Sequence, residues 1–108
     1  MKAPSAVTLA KYGLSAAAWR RMYVAQNGQC AICGKEPGTG RLCVDHQHVK
    51  GWKRMAPAER RKYVRGLLCW TCNLYLVGRG VTVQRLRQAL AYLTLSTAWA
   101  DAWEVKKP

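Results

Sequence analysis

The chain has 108 residues, of which half are hydrophobic and five are tryptophans. This length suits one compact domain and is too short for two, and the composition excludes a wholly disordered chain. Lys and Arg number 18 against 5 Asp and Glu, so the formal net charge of +13 indicates a polyanionic partner, with nucleic acid favoured over a membrane surface.

The N-terminal part of the chain is predicted to be mainly helical. Residues 1–13 form an arm that is either loose or a short helix. Ser15 is placed to cap a helix that runs through AAAWRRMYVAQ and stops at Asn27 and Gly28. One face of this helix carries, at helical spacing, Trp19, Met22, Tyr23 and Gln26.

Two short strands, joined by a basic connection, are predicted next. Residues 41–46 and 63–68 have the pattern of strands, and the connection can form one or two helical turns after Pro57. A short helix follows from about 71 to 76, and Thr82 caps a final helix. The expected architecture is α+β and mainly helical. It is a single domain, 1–108, with an arm over 1–13, a core over 14–76 and a C-terminal helix over 82–103.

Two cysteine pairs, each with C-x-x-C spacing, flank the predicted strands. No apolar stretch approaches the roughly 18 residues of a transmembrane helix, and the N-terminus does not resemble a signal peptide. We therefore expect a reducing cytoplasm, which favours metal over disulfides. Each pair can present both sulfurs to one tetrahedral ion, and four protein ligands leave no open position. This predicts one structural zinc on Cys30, Cys33, Cys69 and Cys72, with two disulfides or a redox pair as the alternatives. The fifth cysteine, Cys43, is expected to be a small buried residue of the core.

Both histidines of the chain lie in the segment VDHQH, beside one of the five acidic residues. A carboxylate close to phosphates suits a hard divalent cation, so Asp45 is a candidate metal ligand. A neutral His46 can take a proton from an attacking water as a general base. Alternation along a strand puts Asp45 on one face and His46 with His48 on the other, so the strand end has to bend before both faces can act at one phosphate.

Asn73 directly follows the second cysteine pair and offers a neutral oxygen near a helix start. A zinc ion shared by the two pairs would bring it towards Asp45 and His46. On these residues alone, the Asp-His-x-His segment fits a surface turn or a second zinc site as well as a catalytic centre. Asn73 alone fits a helix cap as well as a metal ligand.

Taken together, the segments AQNGQCAICGK, VDHQH and VRGLLCWTCN resemble the phage recombination endonuclease VII family, within the HNH, or His-Me finger, nucleases. The similarity covers about residues 12–75 and extends to VQRLRQALAYL. The resemblance implies a ββα-metal active site on a zinc-bound core with flanking helices. It also implies cleavage of branched DNA, such as Holliday junctions, with Mg²⁺ or Mn²⁺, in the host cytoplasm if a phage encodes the protein.

Carried over by position, the resemblance implies zinc ligands at the four cysteines of the two pairs. It implies catalytic-metal ligands at Asp45 and Asn73, and the general base at His46. His48 matches the second histidine of the family motif, which orients or stabilises the scissile phosphate. Arg65 matches a family arginine for which a phosphate contact is expected.

The densest basic run lies between the predicted strands and is a candidate DNA-binding segment. Its members are Lys50, Lys53, Arg54, Arg60, Arg61, Lys62 and Arg65. An ordinary solvated loop is the alternative. Trp52, within this run, is placed either to stack on an unpaired base or to pack in the core. Trp70, Trp99 and Trp103 are expected to pack, and the last two are also candidates for a homodimer interface through the C-terminal helix.

The sequence therefore favours a metal-dependent DNA endonuclease selective for branched DNA. An HNH nicking or double-strand endonuclease without junction preference is the alternative enzyme. A zinc-dependent DNA-binding module that does not cut is the alternative outside enzymes.

Overall fold

The computed structural model describes residues 2–38, 40–78 and 80–94, and two helices lie at its start. Helix α1 (Ala6–Lys11) begins at Ser5 and helix α2 (Ala16–Ala25) begins at Ser15, and each serine hydroxyl accepts a hydrogen bond from a backbone N–H three residues later. Just beyond α2, Gly28 has a φ of 67°, which reverses the chain at the predicted stop. The predicted arm is therefore a short helix, and the helix predicted after Ser15 is confirmed.

An antiparallel pair of strands forms the sheet. Strand β1 (Cys43–His46) pairs with strand β2 (Val64–Leu68), so both predicted strands are confirmed with slightly shorter bounds. The register is regular as far as Asp45, which lies opposite Gly66, and then shifts at a β-bulge. The bulge leaves Arg65 as the extra residue on β2, and bulges of this kind bend a strand and redirect a side chain.

Short helical turns make up much of the connection between the strands. Helix α3 (Pro57–Arg60) lies between two 3-10 turns, Trp52–Arg54 and Arg61–Tyr63, so the helical turns predicted after Pro57 are confirmed. The turn between α1 and α2 packs against this segment at Gly13. Its φ is +70°, and a Cβ there would clash with the carbonyl oxygen of Pro57, so the contact requires glycine.

A π-helical turn (Cys72–Leu76) follows β2, and helix α4 (Val83–Leu93) begins at Thr82. The short helix predicted near 71–76 is thus present, with π rather than α winding. The C-terminal helix predicted over 82–103 is described as far as Leu93, and its remainder, with Trp99 and Trp103, lies outside the described residues. None of the helices in the described part of the chain has the length and apolar character needed to cross a bilayer.

The hydrophobic core lies between α2 and the sheet, where Trp19, Leu42 and Leu67 are fully buried. The Gln26 side chain donates to the Leu67 carbonyl at 2.9 Å and accepts from the Leu67 N–H at 3.0 Å, so the backbone of β2 is tied to the end of α2. Helix α4 contributes less to this core, since Val83, Leu90 and Leu93 are exposed. The α+β class is confirmed, and the strands that carry the candidate site are anchored on α2.

Candidate functional site

Two turns bring four cysteine sulfurs together beside the sheet. The turn after α2 carries Cys30 and Cys33, and the turn after β2 carries Cys69 and Cys72. Their sulfur atoms all lie within 4.8 Å of one another, and those of Cys33 and Cys69 are 3.7 Å apart. Four sulfurs bound to one zinc at about 2.3 Å are about 3.8 Å apart, so the cluster has suitable dimensions. The predicted ligand set is therefore brought together and can hold a metal ion.

Backbone hydrogen bonds stabilise negative charge in this cluster. The N–H of Ile32 donates to the Cys30 sulfur and the N–H of Cys72 donates to the Cys69 sulfur, each at 3.4 Å. Burial alone would raise the pKa of the Cys30 thiol. Backbone hydrogen bonds at Cys69, Cys33 and Ile32 together outweigh this effect and lower the pKa to about 6. Burial and hydrogen bonds with the neighbouring thiols raise the pKa of Cys72 to about 12. At neutral pH the metal-free cluster thus holds ionised sulfur, which is the form that binds metal.

Two neighbours of the cluster differ from the sequence prediction. Trp70 was expected to pack, but its side chain is 63% exposed, because it lies at the tip of a turn whose two cysteines point inward. Cys43 was expected to be buried in the core, but it is half-buried and stands outside the metal-binding cluster. Burial raises the pKa of the Cys43 thiol.

The acidic and histidine side chains of this segment differ in burial, in keeping with the alternation predicted along β1. Asp45 is buried, whereas His46 is half-exposed and His48 is exposed. The rings of His46 and His48 lie together, with their centroids 4.9 Å apart and in an edge-on orientation. The predicted bend at the strand end is also present, since the β-bulge falls between Asp45 and His46.

Arg65 binds the Asp45 carboxylate through both oxygens. Its Nε donates to Oδ2 at 2.7 Å and its Nη2 donates to Oδ1 at 3.0 Å. A phosphate was the expected partner of Arg65, and the contact with Asp45 differs from that prediction. The β-bulge is the physical reason, because it adds Arg65 to β2 between the residues opposite Asp45 and His46.

His46 lies against aromatic side chains from two other segments. The Trp52 ring stacks on it at a centroid distance of 4.2 Å, and the Tyr12 ring is 5.6 Å away. Burial lowers the pKa of His46 below 6.5, and the charges of His48, Arg65 and Lys11 lower it further, while Asp45 opposes them. The imidazole is therefore mainly neutral at pH 7, as a general base requires.

A groove of about 830 Å³ runs past the exposed side of His46. Its basic lining residues are Lys11, Lys50, Lys53 and Arg54, and its other lining residues include Tyr12, His48 and Trp52. Three predicted DNA-binding residues, Lys50, Lys53 and Arg54, are thus brought beside His46, whereas Arg61 and Lys62 are exposed but do not line the groove. Lys11 and Tyr12 were not predicted at the site, since the sequence of an N-terminal arm carries no signal of where it packs. Trp52 carried a signal, as an aromatic residue within a basic run.

Arg60 is engaged by the protein itself. Its guanidinium donates to the backbone carbonyls of Lys11, Trp52 and Lys53 at 2.8–3.2 Å, and it lies 4.4 Å from the centre of the Trp52 ring. These contacts join the N-terminal arm to the connection between the strands. In this structure Arg60 therefore supports the wall of the groove, whereas the sequence suggested DNA contact or an ordinary solvated loop.

Asn73 lies at the second position of the π-helical turn, directly after Cys72. Its side chain makes no hydrogen bond with the described residues, and the turn has no side-chain cap, so the helix-cap interpretation is wrong. An amide oxygen and a carboxylate oxygen are a donor set that suits Mg²⁺ or Mn²⁺. Asn73 and Asp45 fit such an ion in their chemistry, while Arg65 holds both oxygens of Asp45.

Comparison with known proteins identifies a family to which this chain is similar. The model of the recombination endonuclease VII family matches residues 5–95. Over 87 residues the chain is 38% identical to the Gene 59 protein of Mycobacterium phage D29 and 36% identical to the Gene 59 protein of Mycobacterium phage L5. Each alignment covers 79% of this chain and 46% of the relative, so the chain spans about half the length of these relatives. No solved structure gives a significant match. The match over most of the chain shows that it belongs to the recombination endonuclease VII family.

Proposed function

We propose that this chain is a metal-dependent DNA endonuclease that hydrolyses a phosphodiester bond at His46 and prefers branched DNA such as Holliday junctions. The observation that carries the proposal is the position of His46, which opens onto a basic groove and has the buried Asp45 beside it in the strand. Family membership supports an endonuclease that acts on DNA. The junction preference follows from the same family, whose description names recombination.

His46 acts as the general base in this proposal. Its lowered pKa leaves the imidazole nitrogen free to accept a proton from the attacking water at neutral pH. A base in the right position contributes roughly 10²–10⁴-fold to a rate. His48, beside it, orients the scissile phosphate. The lysines and Arg54 along the groove bind neighbouring phosphates through charge, without reading the base sequence.

Asp45 and Asn73 would hold the catalytic Mg²⁺ or Mn²⁺, as a carboxylate and an amide oxygen. The ion would supply positive charge against the negative charge that develops on the phosphate oxygens. We assign β1, β2 and the π-helical turn to the ββα-metal unit of the HNH, or His-Me finger, class. In that unit strand β1 carries both Asp45 and His46, and the turn carries Asn73.

The cysteine cluster holds a structural zinc ion in this proposal. Four sulfur ligands leave no coordination position open for substrate, so its contribution is to the fold. Structural zinc binds small domains with roughly 10–16 kcal/mol, whereas a whole domain is usually stable by about 5–15 kcal/mol. The zinc also joins the turn after α2 to the turn that leads into Asn73, and so it supports the active site.

Cleavage assays on defined DNA test this function. The zinc-loaded protein is incubated with a four-way junction, with a linear duplex of matching sequence and with supercoiled plasmid, each with and without Mg²⁺ or Mn²⁺. We expect metal-dependent cutting that is faster on the junction. Equal rates on junction and linear duplex would contradict the junction preference and leave a general HNH endonuclease. Binding of DNA without cutting in either metal would identify a DNA-binding module.

A variant pair tests the role of His46. His46→Ala should lower the single-turnover cleavage rate by at least about 10²-fold while DNA affinity is retained. Gln47→Ala is the matched control, because Gln47 is the next residue along the chain and its side chain is exposed. Comparable rates in the two variants would show that the base has been misassigned.

A further inference from the structure

The ion pair between Arg65 and Asp45 has the geometry of a strong interaction. Both carboxylate oxygens accept from the guanidinium, at 2.7 and 3.0 Å. The Asp45 side chain is only 6% exposed, so water competes little for it on its side of the pair. Paired, charge-assisted hydrogen bonds of this kind are roughly twice as strong as neutral ones.

This pairing is a consequence of the β-bulge. In a regular antiparallel ladder each residue of β1 would face one residue of β2, but here Asp45 lies opposite Gly66 and His46 lies opposite Val64. Arg65 is left between the two pairs, where its side chain is free of the ladder and reaches the carboxylate. Gly66 has no side chain to separate the two partners.

We infer that Arg65 blocks the catalytic carboxylate in the free protein and releases it when a DNA phosphate takes over the guanidinium. The inference rests on the proposed function, in which Asp45 is a metal ligand. A divalent cation needs the same carboxylate oxygens that Arg65 occupies, and two cations cannot both contact them closely without repulsion. Arg65 is therefore a positioning residue that couples metal binding to DNA binding.

A DNA phosphate can reach Arg65 more readily than it can reach Asp45. The Arg65 side chain is 46% exposed, against 6% for Asp45. Arg65 also directly follows Val64, the residue that pairs with His46 in the sheet, and His46 lines the groove. Guanidinium groups match phosphate oxygens in the same two-point manner as they match carboxylates. Transfer of Arg65 from one partner to the other therefore preserves its hydrogen bonds and frees Asp45.

Metal binding without DNA is the first test. The free Mn²⁺ concentration is measured by electron paramagnetic resonance during titration of the zinc-loaded protein. We expect Arg65→Met to bind Mn²⁺ at least about tenfold more tightly than the unmodified protein, because the competing charge-assisted hydrogen bonds are gone. Arg54→Met is the matched control, since it removes one positive charge from the groove without touching Asp45. The double variant Asp45→Asn with Arg65→Met should lose the added affinity.

The second test adds DNA. The same titration is run with saturating duplex, using protein that carries His46→Ala. A parallel titration with the Asp45→Asn protein and the same DNA measures the Mn²⁺ that binds elsewhere, and this amount is subtracted. DNA should raise the Mn²⁺ affinity of the protein with Arg65 about tenfold or more, and that of Arg54→Met similarly. With Arg65→Met the affinity should already be high, and DNA should change it little.

Two outcomes would overturn the inference. One is an equal gain in Mn²⁺ affinity from Arg65→Met and Arg54→Met, which would indicate general charge repulsion. The other is a Mn²⁺ affinity of the unmodified protein that DNA leaves unchanged. Should Arg65→Met fail to fold with an unpaired Asp45, Arg65→Gln removes the charge and keeps a donor, with the same expected direction. The DNA-free titration does not depend on cleavage, so its failure and the failure of the proposed endonuclease activity are distinguishable.

Discussion

The indole ring of Trp52 stacks on the imidazole of His46, with ring centroids 4.2 Å apart and an interplanar angle of 20°. Trp52 is itself held by Arg60. The Arg60 guanidinium lies 4.4 Å from the centre of the Trp52 ring, and its Nε donates a hydrogen bond to the Trp52 carbonyl oxygen. The orientation of the candidate base thus depends on a residue from the connection between the strands. The stack also contributes to the burial that lowers the pKa of His46.

Loss of the Trp52 ring should impair cleavage more than DNA binding. We expect Trp52→Ala to lower the single-turnover rate by about ten- to hundredfold, because a base displaced by a fraction of an ångström loses its alignment with the water. Trp52→Phe should retain much of the rate, since it keeps an aromatic ring against His46. Trp70→Ala is the control, as it removes an exposed tryptophan elsewhere. An equal loss of rate in Trp52→Phe and Trp52→Ala would contradict a role for stacking.

The pKa of His46 should lie below 6.5 in the folded, zinc-loaded protein to which no Mg²⁺ or Mn²⁺ has been added. Nuclear magnetic resonance of the imidazole protons during a pH titration measures it directly. Since the neutral ring is the active form, the cleavage rate should rise with pH through this pKa and then level off. The folded protein binds fewer protons at His46 than the unfolded chain, so this residue favours folding above pH 6.5 and loses that contribution as the pH falls. A midpoint above 6.5 would contradict the buried, neutral base.

Removal of zinc should unfold much of the domain. The cysteine cluster joins segments on both sides of the sheet, and the buried cysteines Cys30 and Cys72 also belong to the core. We expect one zinc per chain by elemental analysis, and loss of the cooperative thermal transition after chelation. Cys69→Ser should weaken zinc retention, whereas Cys43→Ala, outside the cluster, should not. An unchanged circular-dichroism spectrum after complete zinc removal would count against a structural site.

Arg60 and Lys53 should have different roles although both are basic residues of one segment. Arg60→Met should lower the free energy of unfolding by roughly 1–3 kcal/mol, because its three hydrogen bonds to carbonyl oxygens are lost. Lys53→Met should leave thermal stability nearly unchanged and reduce the slope of log affinity against log salt by roughly 0.9 for one lost phosphate contact. Thermal unfolding and DNA-binding titrations at several salt concentrations measure both. A stability loss confined to Lys53→Met would reverse this assignment.

Local rules were sufficient for several features of this protein. The serine and threonine caps, the helix stop at Gly28 and the two strands followed from residues close together in the chain. The clustering of four cysteines that can hold a metal ion followed from their spacing, because each pair is held by a single turn. The different burial of Asp45 and His46 agrees with the two-residue period of a strand, and the family resemblance was confirmed.

Contacts between distant segments could not be predicted in this way. The partner of Arg65 depends on a one-residue register shift, which no local pattern in VRGLL specifies. Trp52 and Tyr12 reach His46 only because α3 and the N-terminal arm pack together at Gly13 and through Arg60. The sequence by itself determined the helices, the strands and the candidate metal ligands among the cysteines, since local hydrogen bonding and spacing specify these. Only the tertiary structure decided what surrounds Asp45 and His46, because those neighbours are set by packing between segments far apart in the chain.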